Sequence, residues 1–464
     1  MRLVTEGDAG ELDDGTCRSY VARFAKVSAD LHKTIASYGL PIDDDPARAT
    51  RLAGLREKLA AKGARFRNDG KSIVYGALSP ACERCRTGHR SISQFISLAC
   101  PNSCWFCFNE NQHDYGRYLR SHTSWKDDLH AYHDSMGGLD FVALTGGEPM
   151  LYPDEANAFF QESELLDPAA HRRLYTSGYA LDRRALERLA ESGLDEIRYS
   201  IKVDVPGHSG ERRDARGDVH GGFAPLEEQL EMVELAVGTI PSVMVEMPVV
   251  PGTADQMRTV LSELDRMGAS GINLLELCFP LHHADEYAAR GLTLVADPYR
   301  IPYSYQYAGA LPVAGSEELA LELMCEAIDG GLGLGMHYCS LENKNTSQIF
   351  EQNHGGKVGI PPYRFSERDF FYHVVRAFEG DALQAMDLLD REGIPYETDA
   401  AETMAAFDPR WLPLLAAEGW SGDGAEGPKL FLSSAVMEPT GDGRERFREI
   451  GLQVLEPGDL AGNV

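Results

Sequence analysis

Ile92-Ser-Gln-Phe-Ile-Ser-Leu-Ala99 runs directly into Cys100-Pro-Asn-Ser-Cys104-Trp-Phe-Cys107, an apolar stretch followed by three thiols at C-x3-C-x2-C spacing. A short loop carrying three cysteines lets them converge on one small object while the backbone folds round it. Thiolate sulfur is the usual ligand of iron-sulfur clusters, and four cysteines close a 4Fe-4S site completely. Three leave one iron open to a ligand from outside the chain. A zinc knuckle is the competing reading of the spacing.

Outward from this loop, short apolar runs alternate with helical patterns. The runs are 92–99, 139–145, 173–176, 196–201, 242–249, 272–277 and 334–338, and helical stretches such as 181–192, 226–237, 254–267 and 317–328 fall between them. Strands alternating with helices make parallel βαβ units, whose strands read as continuous apolar runs because both faces are covered. The fold class is therefore α/β. The alternation does not by itself choose between a closed barrel and an open sheet.

Thr145-Gly146-Gly147-Glu148-Pro149 ends the second run. Glycines there let backbone approach a ligand, and a carboxylate with exposed carbonyls can accept hydrogen bonds from a bound amino group. Thr176-Ser177-Gly178 ends the third run, Ser200-Ile-Lys202-Val-Asp204 the fourth, and Glu246 stands in the fifth. Lys202, a compact point charge, suits a carboxylate.

The cysteine loop, with the aromatic Phe106 before its last thiol, resembles the signature of the radical S-adenosylmethionine (SAM) superfamily, and Gly146-Gly147-Glu148-Pro149 resembles that family's element for the SAM amino group. The resemblance implies an incomplete TIM-like (β/α)6 barrel with its site at the strand C-termini. It implies a 4Fe-4S cluster on the catalytic Cys100, Cys104 and Cys107, whose electron splits SAM into methionine and a 5'-deoxyadenosyl radical. For SAM it implies contacts from Phe106, Gly146, Gly147, Glu148, Pro149, Ser177, Ser200, Lys202 and Glu246, and for the electron a donor such as flavodoxin or ferredoxin.

Cys82-Glu-Arg-Cys85 precedes the signature in a polar loop, and C-x2-C is the bite of a metal knuckle or a further cluster. Cys339 and Cys278 are expected to complete this second site, holding iron, zinc or a cluster; the alternative leaves the pair unligated. With His337-Tyr338-Cys339, the pair resembles poorly characterised relatives of pyruvate formate-lyase activating enzyme. No cysteine-rich tail follows Cys339 and no Asp-x-His-x-x-Gly occurs, so neither an auxiliary-cluster domain nor the usual cobalamin fold is signalled. His282-His283 reads as polar surface, with metal ligation as the lesser alternative.

Residues 1–88 are expected to form a helical cap carrying the C-x2-C loop, 89–345 the barrel and 346–464 an α+β module with helices at 368–378, 382–391 and 411–417, an exposed loop at 421–427 and a strand at 430–436. Cys17 is expected to be structural. The chain has 464 residues, 43% hydrophobic and 25% charged, an ordinary globular composition. No apolar run is long enough for a membrane span and no signal peptide is visible, so a cytoplasmic location is expected. A formal charge of −28, from 44 basic and 72 acidic residues, repels nucleic acid. The expected function is hydrogen abstraction from a peptide, a protein or a small molecule; the alternatives are a glycyl-radical-enzyme activase and a non-catalytic iron-sulfur or zinc protein with a redox or scaffold role.

Overall fold

The computed structural model describes residues 2–4, 6–12, 15–208, 211–213, 219–296, 310–418, 430–456 and 459; the expected loop at 421–427 lies outside them. Two compact units divide the chain. One contains residues 40–296 and 310–344, and the other joins residues up to 39 to those from 345 onward. The segment 1–88, expected as one cap, is split between them: helix Thr16–Ser37 falls in the second unit and α1 (Arg48–Ala61) in the first.

The first unit is built on nine strands: β1 (Arg65–Arg67), β2 (Ser72–Tyr75), β3 (Ser91–Phe95), β4 (Phe141–Thr145), β5 (His171–Thr176), β6 (Glu196–Tyr199), β7 (Ser242–Val249), β8 (Gly271–Glu276) and β9 (Gly335–Cys339). Their order across the sheet is β1-β2-β9-β8-β7-β6-β5-β4-β3. β3 to β9 are all parallel and lie side by side in chain order, as crossover helices require. Seven parallel strands stand where the resemblance implied six. The barrel is not closed: β9 pairs with the antiparallel hairpin β1–β2 and not with β3.

Each expected apolar run became one of these parallel strands, because both faces of the sheet are covered; β6 and β9 are buried along their whole lengths. The helices cover the sheet through apolar stripes. In α2 (Ala254–Met267), Met257, Val260, Leu261 and Leu264 recur at three- and four-residue steps and are buried, and Gly268, at φ 76°, ends the helix in the left-handed region. Full burial of one such side chain stabilises the fold by about 1.5–3 kcal/mol. Helix Arg183–Glu191 starts where the Asp182 carboxylate accepts the Ala185 N–H at 2.7 Å.

The second unit is an antiparallel sheet in the order Arg2–Leu3, Glu445–Val454, Leu430–Pro439, Tyr372–Phe378, Met404–Phe407, Glu397–Thr398, with Arg364–Phe365 added on Tyr372–Phe378. Helix Thr16–Ser37 buries Cys17 and Val21 against Phe378, Phe431 and Leu452 of this sheet. Helices Glu379–Arg391 and Leu412–Ala417 and the strand at 430 lie where the sequence places them. The helix expected at 368–378 is instead the strand Tyr372–Phe378. It is sandwiched between two partners, and its aromatic and β-branched residues (Tyr372, Val374, Val375) suit a pleated, two-sided burial better than a helix. No helix of the described residues is long and apolar enough to cross a membrane.

Candidate active site

The C-terminal ends of all seven parallel strands, or the loops that leave them, contribute to one cavity of about 960 Å³ in the first unit. Cys100, Cys104, Phe106 and Cys107 line it from the loop after β3, Gly146, Gly147 and Glu148 from the end of β4, and Ser177 from β5. Ser200 and Lys202 follow β6, Glu246 stands in β7, Glu276 and Cys278 end β8, and Lys344 follows β9. Pro149 alone among the expected SAM contacts does not line it; it is buried at the start of the turn Pro149–Leu151.

The cysteine loop is held by the rest of the site. Gly147 N–H donates to the Ser97 carbonyl (3.1 Å) and Glu148 N–H to the Ala99 carbonyl (2.8 Å), so the glycine turn is zipped to the strand that leads into Cys100. A Cβ on Gly147 would lie 2.0 Å from the Ala99 oxygen, which excludes any other residue without moving the backbone. This glycine lets backbone approach backbone, and it also lines the cavity. Glu148 lines the cavity from the same turn. Its buried carboxylate accepts from Thr176 Oγ1 (2.7 Å), Ser177 N (2.7 Å), Ser177 Oγ (2.6 Å) and Met150 N (3.1 Å), joining the ends of β4 and β5.

Burial pushes the Cys100 thiol up to about 11, that of Cys104 up to about 12, and that of Cys107 up as well, while the Lys202 ammonium pulls all three the other way. Without metal the trio is protonated at neutral pH, so loading it releases protons and favours a strongly cationic centre. Lys202 is fixed in place: its Nζ donates to the Ser200 carbonyl (2.8 Å), its N–H donates to Gln229 Oε1 (2.7 Å), and Gln229 Nε2 donates back to its carbonyl (2.9 Å). Three thiols and one cation lining the same cavity fit a cluster with an open iron and a ligand carboxylate beside it.

Two networks escaped the sequence reading. Trp105, buried between Cys104 and Phe106, donates from Nε1 to Asp204 Oδ2 (3.1 Å). Arg290 grips the same carboxylate through Nε (2.7 Å) and Nη2 (2.8 Å) and stacks over the indole, 4.4 Å from its centroid. The clamp ties the cluster loop to the end of β6 and to helix α3 (Ala284–Ala289). Also lining the cavity, the buried Arg198 donates to Glu246 Oε2 (2.8 Å), Ser79 Oγ (2.9 Å), Tyr175 OH (3.1 Å) and Cys82 Sγ (3.3 Å), and pairs with Glu196. Burial alone would raise Glu246, but Arg198 and the Asn273 amide outweigh it and hold the carboxyl below its usual range. The paired Trp105 was a signal within the motif itself; nothing local marked Arg198 or Arg290.

The cysteines expected at a second site are distributed differently. Cys82 lies on a short helix, Pro80–Arg84, and not in a loop, and Cys85 Sγ donates to the Cys82 carbonyl at 3.3 Å. Burial pushes Cys339 up to about 12, with Cys85 and Cys82 adding to the rise. Cys278 lines the main cavity together with Lys344, Glu276 and Cys107, and burial pushes its thiol up. Among the described residues only Glu110, His282 and His283 bring three His, Cys or carboxylate ligand atoms within 4.8 Å of one another.

Glu276 accepts the Leu341 N–H at 2.8 Å, and its carboxyl is pushed up to about 8 by burial first and then by repulsion from Glu317. Between its ordinary 4.5 and about 8 the folded chain holds a proton that the unfolded chain has lost. The stabilising contribution is complete below the ordinary value and disappears as pH rises through about 8. Glu276→Gln, which keeps the neutral shape, is expected to flatten that decline in melting temperature. Identical pH profiles for the two proteins would contradict it.

Residues 95–264 match the model of the Radical SAM superfamily. No curated protein matches the chain. Among solved structures it is similar to Streptococcus suis SuiB bound to precursor peptide SuiA, at 16% identity over 42% of this chain and 41% of that one, with a TM-score of 0.32. It is also similar to anSMEcpe with bound AdoMet (16% identity, 40% and 52% covered, TM-score 0.33). A third is TsrM from Kitasatospora setae with cobalamin and a 4Fe-4S cluster bound (14%, 41% and 35%, 0.31). The chain spans 41%, 52% and 35% of those three proteins. With the C-x3-C-x2-C loop at the mouth of the parallel strands, residues 95–264 are a radical SAM domain.

Proposed function

We propose that the chain is a radical SAM enzyme that abstracts hydrogen from a substrate held in the cavity above Cys100, Cys104 and Cys107. The convergence of these thiols with Gly146, Ser177, Ser200 and Lys202 on one cavity supports the reading most directly. When bound, the cluster and SAM supply a 5'-deoxyadenosyl radical. The chain's own part is to hold and shield. Lys202 offers its ammonium to a carboxylate, and the Gly146 carbonyl, oriented by Asn109 Nδ2 at 2.6 Å, offers an acceptor to an amino group. Phe106, edge-on to Trp105, walls the cavity beside the thiols. Ser200 offers a hydroxyl; that of Ser177 is already given to Glu148. A cavity of about 960 Å³ is at the upper end of small-ligand sites, room for SAM and one further group such as a peptide side chain or a small metabolite.

We favour a peptide or protein substrate, since a net charge of −28 steers a basic peptide toward the molecule. The electron would come from a small donor such as flavodoxin or ferredoxin. Anaerobically reconstituted protein with dithionite is expected to form 5'-deoxyadenosine from SAM, and to carry deuterium into it from a labelled basic peptide. Deuterium transfer only from a free metabolite would overturn the peptide assignment. Iron loading with no SAM cleavage would overturn the enzymatic reading and leave a non-catalytic iron-sulfur protein.

A further inference from the structure

We propose that Glu110, His282 and His283 form a binding site for one divalent transition-metal ion, of the zinc class, at the rim of the cavity. The site stands independently of the radical SAM reading, because none of its ligands belongs to the cysteine loop signature or to the SAM wall.

The geometry begins with the backbone. Consecutive side chains of an extended chain point to opposite sides, so adjacent histidines rarely face one object. Here Leu281 (φ 75°) and His283 (φ 58°) both adopt the left-handed region, on either side of His282. Non-glycine residues held there cost on the order of 1–3 kcal/mol each, and such strain persists only where surrounding structure imposes it. The result is that both imidazoles turn on the same carboxylate. His283 Nε2 lies 3.2 Å from Glu110 Oε1, His282 Nδ1 lies 3.8 Å from Glu110 Oε2, and the two rings stand perpendicular with centroids 4.6 Å apart.

The two sides of the site are also tied to each other. Glu110 sits in the turn Phe108–Asn111, and Asn111 Nδ2 donates to the Pro280 carbonyl at 2.9 Å, which joins that turn to the histidine loop. On the far side, Tyr287 OH donates to the Cys278 carbonyl at 2.6 Å and Arg290 holds Asp204. The ligand loops are thus fixed before any ion arrives.

A Glu110–imidazole ion pair would explain His283 but not His282, both of whose ring nitrogens are buried with no hydrogen-bond partner. A buried unpartnered imidazole nitrogen loses its hydration without recompense, and a metal ion supplies what it lacks. Zinc–nitrogen and zinc–oxygen bonds of about 2.0–2.2 Å place tetrahedral donors roughly 3.4 Å apart, and one ligand atom from each of the three residues lies within 4.8 Å of the other two. Two imidazoles and one carboxylate are the donor set of open zinc sites, whereas magnesium and calcium prefer oxygen alone. Three protein ligands leave a fourth position. Glu110 and His283 both line the cavity, so that position faces it and could take a carboxylate, an amine or a water from a bound substrate.

The test uses the full untagged chain, reconstituted with iron and sulfide, equilibrated with zinc and then desalted. One zinc per chain is expected beyond that kept by His282→Ala, Glu110→Gln and His283→Asn, with iron unchanged; asparagine is chosen because it tolerates the left-handed conformation. The zinc-edge absorption difference between wild type and variants should show nitrogen and oxygen neighbours only. Equal zinc in wild type and variants, no zinc retained by the wild type, or sulfur at about 2.3 Å in that difference would each overturn the proposal.

Discussion

Cys104→Ala is expected to bring reconstituted iron from about four atoms per chain to background and to abolish 5'-deoxyadenosine formation. Cys104 is the middle thiol of the trio and the one that burial raises furthest, up to about 12. Alanine leaves two thiols on the cavity wall, too few to hold the cluster. The loss should be specific, because the loop does not rely on this side chain for its shape. The Cys107 N–H still donates to the carbonyl of residue 104 at 3.0 Å, and Trp105 keeps its bond to Asp204. The metal-free variant should therefore melt close to the metal-free wild type, because the change removes one sulfur atom at a half-buried position and costs about 1 kcal/mol or less. A variant that still cleaves SAM at the wild-type rate would remove Cys104 from the site.

Arg290→Met should destabilise the fold by about 3–5 kcal/mol, because it strands a charge that has been taken out of water. The Asp204 and Arg290 side chains are 6% and 1% exposed. Asp204 has Arg290 as its cation, with neutral support from Trp105 Nε1 and the Val205 N–H. Arg290 has a second anion, the half-exposed Glu286, bonded at 2.6 Å. The two ends of the pair are therefore unequal. Asp204→Asn keeps an acceptor for Trp105 and leaves Arg290 with Glu286, and its cost should be clearly smaller. Urea unfolding of both variants tests the ranking. Since Trp105 lies inside the cluster loop, Arg290→Met should also broaden the electron paramagnetic resonance signal of the reduced cluster. A cost below about 1 kcal/mol, or equal costs for the two variants, would show that the clamp is not a desolvated pair.

The chemistry that declares itself by local spacing was legible in the chain. Three thiols within one turn of backbone and Gly-Gly-Glu-Pro at a strand end carry their meaning in consecutive residues. The same holds for the seven apolar runs, since a strand covered on both faces must be apolar along its length, and for the helix Ala254–Met267, whose stripe has a period of its own. Where a segment's identity depends on a partner far away, local pattern misled. Residues 372–378 read as helix until the strands at 404 and 430 enclosed them on both sides, and the hairpin Arg65–Tyr75 had no signal beyond a few residues because its stability comes from β9.

The sequence by itself determined the parallel α/β frame, the runs that become its strands and the cysteine loop at their mouth. Those features rest on periodicity and on ligand spacing, which neighbouring residues set between them. Only the tertiary structure decided that Glu148 is consumed in joining two strand ends, that Cys278 faces the cavity beside Cys107, and that Asp204 and Arg290 clamp Trp105. It also decided that Glu110 meets two histidines more than 170 residues away. Each of these pairs groups that the chain keeps far apart, and their meeting is fixed by which strands lie side by side, a property of the whole sheet and of no single stretch.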